Sequence, residues 1–190
     1  MADQLTIDRE YFEAIYEHTD DPWNFETSWY ESRKFSLTMA ALTKPRYRRV
    51  FEPGCAIGVL SEQLAQRCDE LICLEWMPKI ADVARKRLDS YPHASVQVGA
   101  IPESWPEGTF DLVMLSEVAY YLTGQGLAES LRRLQGCLQP GGEVVSVHYT
   151  LETSYPLAGA EVQSALHACD WLNHIGSYEE TSFSLIVFRG

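Results

Sequence analysis

The chain has 190 residues, of which 46% are hydrophobic and 12% aromatic, enough apolar material for a packed core and too much for a disordered chain. Its net charge of −12 repels phosphate backbones, which counts against nucleic acid as a partner and leaves room for a cationic or amine-bearing small molecule. Five cysteines stand at Cys55, Cys68, Cys73, Cys137 and Cys169; with no C-x-x-C pair and no zinc spacing, they read as reduced thiols of a cytoplasmic protein.

Met1 to Gln4 is polar and acidic, without the basic and apolar stretches of a signal peptide. No run approaches the roughly 20 apolar residues of a membrane span. Residues 5–18 carry Ile7, Tyr11, Phe12, Ile15 and Tyr16 at helical spacing, and Asp20-Asp21-Pro22-Trp23 breaks that helix. Ser28 with Glu31 three positions on is a capping-box pattern, opening a helix that runs to about Leu42 and stops near Pro45. The period then changes. Residues 49–52 read as a strand, 59–67 as a helix, 70–74 as a strand and 78–89 as a helix. Strands follow at 95–98 and 110–115, then a helix over 124–138 closed by Pro140-Gly141-Gly142, and a strand over 143–149. Strands alternating with helices of ten or so residues predict βαβ units and a parallel sheet. The tail holds a helix near 159–168 and strands near 171–176 and 182–188. No repeat or linker interrupts the chain, so the expectation is one domain over residues 1–190, with a helical cap over about 1–46 and a core over about 47–190.

Two local features point to a ligand. The segment Glu52-Pro53-Gly54-Cys55-Ala56-Ile57-Gly58 follows a strand and opens a helix, where glycine permits positive φ and close approach of a ligand. Any tight turn in an α/β protein needs the same freedom, so the spacing matters more. Dinucleotide-binding turns place a third glycine five positions after the first; that position is Val59 here, and Glu52 would repel a pyrophosphate. The second feature is Glu75, an acid at the end of the next strand, where a carboxylate can accept both hydroxyls of a ribose. Trp76 and Met77 follow it and suit the faces of a base.

Four segments taken together, Val50-Phe51-Glu52-Pro53-Gly54, Glu75, Phe110 to Glu117, and Leu138-Gln139-Pro140-Gly141-Gly142, resemble the class I S-adenosylmethionine-dependent methyltransferases over about 50–150. The flanks Asp21-Pro22-Trp23, Tyr30-Glu31, Tyr120-Tyr121-Leu122 and Tyr155-Pro156-Leu157-Ala158-Gly159 look like the NodS group of nodulation N-methyltransferases. This resemblance implies an α/β, Rossmann-like three-layer sandwich whose seven-stranded, mostly parallel sheet has an antiparallel last strand. It implies S-adenosyl-L-methionine as cofactor, S-adenosyl-L-homocysteine as product and a small-molecule acceptor, an amine nitrogen first. It places Glu52, Gly54, Cys55 and Gly58 on the methionine side, Glu75 on the ribose, and Trp76, Met77, Ala100 and Ile101 near the adenine. Ser116 lies under the methionine. Tyr30 and Arg33 reach its carboxylate, and Trp23 helps to close the site. The sequence departs from the group at Ala56, where the middle glycine is usual, and at Ala100, where an acid is frequent. It departs again at Ala160 and Gln163, where the group has an acid and a histidine; a chitooligosaccharide amine is therefore a poorer match for the acceptor.

Methyl transfer is an in-line displacement that asks the protein mainly to position a nucleophile and exclude water. Glu117 is the candidate for orienting or deprotonating an amine. Tyr120 and Tyr121 are candidate ring faces for a cation, and His148 is a second candidate base. Alternatives of another kind are a non-catalytic S-adenosylmethionine-binding sensor or partner subunit, and an O-methyltransferase. Val59 and Glu52 oppose a nicotinamide-dependent oxidoreductase. No metal site is expected.

Overall fold

The computed structural model describes residues 5–190; the polar segment Met1 to Gln4 lies outside the described residues. Among the described residues, six α-helices and seven strands follow one another in the alternating order the periodicity predicts. They are α1 Arg9–Ile15, α2 Trp29–Ala41, β1 Tyr47–Pro53, α3 Val59–Ala65, β2 Cys68–Glu75, α4 Pro78–Arg87, β3 Ala94–Val98 and β4 Phe110–Ser116. A 3-10 turn at Ala119–Tyr121 comes next, then α5 Gly124–Cys137, β5 Leu138–Tyr149, α6 Gly159–His167, β6 Asn173–Glu179 and β7 Phe183–Arg189. The strand order is β3-β2-β1-β4-β5-β7-β6. Strands β1 to β3 pair in parallel, as do β4 and β5, while β7 runs antiparallel to both β5 and β6. This is the Rossmann-like sheet expected, antiparallel last strand included.

Residue contacts divide the described chain into two compact units, residues 8–100 and residues 5–7 with 101–190. In the first, Val50, Phe51, Leu71, Cys73 and Ile80 are essentially without exposure. In the second, Phe110, Leu112, Val113 and Met114 of β4 are fully buried, as are Val144, Val145 and Val147 of β5. Such unbroken apolar runs mark strands covered on both faces, which is why they could be read without alternation.

Among the differences from the sequence reading, two boundaries and one cap have a plain physical reason. Residues 5–7 do not begin α1. Thr6 bridges Leu122, with Ile7 N donating to Tyr121 O at 2.8 Å and Thr123 N to Leu5 O at 2.9 Å; these long-range bonds prevail over local helical spacing. Strand β5 begins at Leu138, not 143, because Gly141 takes φ +71° and its N–H donates to Gly190 O at 2.9 Å, so the Pro-Gly-Gly segment enters the sheet. The capping box is half formed. Ser28 Oγ accepts from Glu31 N at 3.4 Å, but the Glu31 carboxylate pairs with the buried Lys34 ammonium at 2.9 Å.

Candidate functional site

In the unit of residues 8–100, β1 and β2 lie in parallel register with Glu52 opposite Cys73 and Pro53 opposite Leu74, so both strands end together at the glycine turn. Gly54, Ala56 and Gly58 have φ of +73°, +47° and +79°, three left-handed residues in five. The turn's amides are committed within the protein. Gly54 N and Cys55 N both donate to Leu74 O, at 2.8 and 2.9 Å, and Gly58 N donates to Cys55 O at 2.9 Å. Ala56 N donates to Glu75 Oε2 at 3.0 Å, and Met77 N donates to Glu75 Oε1 at 2.8 Å. The turn therefore grips the Glu75 carboxylate, which is 6% exposed and pushed up by burial to about 7.

The other turn residues take different parts. Gly54 is exposed, which leaves its backbone face open. Gly58 is buried against α4, where a Cβ would come within 3.3 Å of Ala84 Cβ; its small size serves helix packing. Cys55 is buried, with Sγ 3.7 Å from Ala56 O. Glu52, expected on the methionine side, is 3% exposed and accepts from Cys73 Sγ at 3.4 Å. The register sets it against β2, and burial pushes it up to about 7, so in this arrangement it braces the two strands from within.

Around Glu75 the unit gathers aromatic groups. Trp23 meets Tyr16 edge-on at 5.6 Å and Phe25 at 5.5 Å, in an apolar cluster with Ile57, Met77 and Ile80. Trp76 is half-buried and meets Phe12 at 5.9 Å. Tyr16 was read only as a helix-face residue. Its ring is 6% exposed, and its phenol is pushed up first by burial and then by the charge of Glu75. On α2, Tyr30 and Arg33 are half-buried, and the buried Lys34 ammonium sits 5.0 Å over the Tyr30 ring. Ala100 is half-buried.

In the unit of residues 101–190, Ile101 is buried, and Ser116 and Glu117 are half-buried at the end of β4. Glu117 has φ +53°, a conformation that costs a non-glycine residue about 1–3 kcal/mol. Its Oε2 accepts Tyr120 Oη–H at 2.5 Å and Tyr149 N–H at 3.1 Å. Tyr120 is 5% exposed, and burial holds its phenol well above the usual range. Its ring stacks on Tyr155 at 4.9 Å and meets Tyr121 edge-on at 4.7 Å. His148, expected as a base, has no exposure. Its Nε2 accepts from Ala119 N at 3.3 Å, which puts the proton on Nδ1, 3.0 Å from Ser146 Oγ. Both nitrogens are engaged inside the fold, so the ring acts as a strut under Tyr120, 5.2 Å away.

These residues fit S-adenosylmethionine and disfavour a dinucleotide. A phosphate-binding turn presents its amides outward, whereas those of Gly54, Cys55, Ala56 and Gly58 are turned onto Leu74, Cys55 and Glu75. The buried acid beside them repels phosphate. A carboxylate has about four acceptor positions, so the backbone donors Ala56, Met77 and Trp76 leave it capacity for a further hydroxyl donor. Among the described residues no group of three or more histidine, cysteine or acidic side chains is arranged to hold a metal ion, and no helix is long and apolar enough to cross a membrane.

Comparison with known proteins bears on the same segments. The NodS family profile, Nodulation protein S, matches residues 14–155. Nodulation protein S of Rhizobium tropici is 31% identical over 130 residues, covering 66% of this chain and 54% of the relative; the chain spans about half the length of the curated relatives it matches. A crystal structure from Pseudomonas syringae, provisionally assigned as a methyltransferase, is 37% identical with a TM-score of 0.77, covering 86% of this chain and all of that one. The N-methyltransferase NodS of Bradyrhizobium japonicum, crystallised with S-adenosyl-L-homocysteine, shares the fold at a TM-score of 0.85 and 23% identity, over 95% of this chain and 96% of that one. Because that profile matches residues 14–155, the larger part of its length, the chain belongs to the NodS family.

Proposed function

We propose that this chain is an S-adenosylmethionine-dependent methyltransferase acting on an amine nitrogen of a small molecule. The observation that carries this reading is the buried Glu75 carboxylate, held by the N–H groups of Ala56 and Met77 beside a glycine turn whose other amides are bonded to Leu74 and Cys55 and not turned out toward a phosphate. Membership of the NodS family supports it, as does the NodS structure that holds S-adenosyl-L-homocysteine.

When bound, the cofactor supplies a methyl group already activated on a sulfonium, so no metal or covalent nucleophile is required. Glu75 would accept a ribose hydroxyl. The open backbone at Gly54 admits the methionine portion, and the cluster of Tyr16, Trp23 and Met77 excludes water from the Glu75 side. Tyr30 and Arg33 are the donors for the cofactor carboxylate. Trp76 and Ala100 would border the base. Glu117, aimed by its strained backbone and by Tyr120, orients the acceptor amine and takes up the proton that it must lose before its nitrogen lone pair attacks. His148 and Ser146 position Tyr120. None of the five cysteines is in a disulfide, which suits a reducing compartment such as the cytoplasm.

Thermal melts with S-adenosylmethionine, S-adenosyl-L-homocysteine and NAD test the assignment. At 100 times Kd a ligand stabilises by about 2.7 kcal/mol. The two adenosyl ligands are expected to raise Tm, NAD to leave it unchanged, and Glu75→Ala to abolish the shift while remaining folded. Folded, ligand-stripped protein that shifts with neither adenosyl ligand would overturn the reading.

A further inference from the structure

Tyr120, which donates to Glu117, and the two tyrosines packed on it differ in what a ligand can reach. Tyr120 and Tyr121 are 5% and 9% exposed, whereas Tyr155 is half-buried. Tyr155 stacks on Tyr120 with ring planes 25° apart and lies 4.7 Å from Tyr121. It is carried on an irregular segment whose Leu151, Glu152, Ser154 and Pro156 are exposed. That segment is pinned at both ends: Thr150 N donates to Ser182 O at 3.0 Å and Leu157 N donates to Tyr120 O at 3.2 Å. The second of these bonds ties the segment to the very residue whose phenol donates to Glu117. An exposed loop that returns one aromatic ring to the tyrosine holding a carboxylate at positive φ is a costly arrangement for packing alone.

We propose that Tyr155 is the specificity-determining residue of the acceptor site, its ring recognising the acceptor as an organic ammonium beside the Glu117 carboxylate. The inference rests on the acceptor reading above and adds to it the ring that a substrate meets. The face of an aromatic ring attracts a cation over a neutral group of the same shape, so charge, not size, decides which ligand is held. Tyr155 also fixes Tyr120 by stacking, which keeps the phenol on Glu117.

The test needs no knowledge of the natural acceptor. Benzylammonium and its neutral counterpart benzyl alcohol are titrated at pH 7.5 into protein carrying 13C-labelled tyrosine, followed by NMR, with an S-adenosyl-L-homocysteine melt on every variant. Benzylammonium is expected to bind at least about fivefold more tightly than the alcohol. Tyr155→Phe should keep that preference, since the ring remains. Tyr155→Leu, which fills similar space without a ring, should lose it while keeping the melt shift, and Glu117→Gln should weaken the ammonium alone. Equal binding of cation and alcohol by the native protein, or an unchanged preference in Tyr155→Leu, would overturn the proposal. Should Tyr155→Leu not fold, Tyr155→Met carries the same expectation. Cation preference that follows Tyr155 without any melt shift in the native protein would uphold this site and sink the methyltransferase reading.

Discussion

The Glu75 carboxylate accepts backbone hydrogens from Met77, Ala56 and Trp76, yet burial still holds the group at about 7. The backbone bonds favour the ionised form, and the loss of water outweighs them. Hydroxyl donors from a bound ribose would add to the ionised side, so ligand binding and proton loss are linked. Affinity for S-adenosyl-L-homocysteine is therefore expected to rise about tenfold from pH 6 to pH 8, the range over which the free carboxylate ionises, and to lose most of that dependence in Glu75→Gln. Calorimetric titration at the two pH values measures it, and a flat profile in the native protein would count against Glu75 as the ribose acceptor. The place of Glu75 at the end of β2, beside the glycine turn, is legible from sequence because its signal is local. That of Tyr16 is not. It lies 59 positions from Glu75, and helical spacing identified it only as one more apolar position. Likewise His148 looked like a base until its two nitrogens were traced to Ala119 and Ser146, partners that lie in the fold and not in the spacing.

The elements followed the hydrophobic period closely, and the departures fall where a distant backbone competes with a local signal. Residues 5–7 show it best. Leu5 and Ile7 suit a helix, but they bond to Tyr121 and Thr123, partners more than a hundred positions away. Nothing in the spacing of residues 5–18 announces this. What admits the segment is Gly126, in the first turn of α5, where a Cβ would stand 1.9 Å from Leu5 O and 2.9 Å from Leu5 C. Backbone cannot yield as a flexible side chain does, so Gly126→Ala should expel residues 5–7 from Tyr121–Thr123. The loss of the bonds from Ile7 N, Thr123 N and Thr6 Oγ1 costs about 3 kcal/mol at about 1 kcal/mol each, offset by roughly 1 kcal/mol of helix propensity. Net destabilisation near 2 kcal/mol is expected. Gly136 in the same helix has nothing within 4 Å of its Cβ position, so Gly136→Ala should stabilise, by up to about 1 kcal/mol. Hydrogen exchange separates the cases. The Ile7 and Thr123 amides should lose protection in Gly126→Ala and keep it in Gly136→Ala. Retained protection in Gly126→Ala would show that the segment tolerates the added carbon.

At the scale of the whole molecule, two terms make stability depend on pH in the same direction. The first was evident from composition: a net charge of −12 repels itself at neutral pH, and protonation toward the pI relieves it. The second needed the structure, because Glu52 and Glu75 are buried acids whose strand-end positions alone do not reveal their burial. Both are raised by desolvation from 4.5 to about 7. A raised carboxylate binds its proton more readily folded than unfolded, so its contribution is complete below 4.5 and is lost as pH climbs through 7. Between pH 5.5 and 8.0 each acid gives up about 2 kcal/mol, and the protein is expected to unfold at lower urea concentration at the higher pH. The two terms part under salt. Surface repulsion is screened within a few ångströms at molar ionic strength, while a desolvation cost inside the core is hardly touched. A pH slope that survives 1 M NaCl in the native protein, and falls by about half in Glu52→Gln, assigns it to the buried acids. A slope that salt removes and Glu52→Gln leaves unchanged assigns it to the overall charge, and Glu52 would then be no more than a brace between β1 and β2.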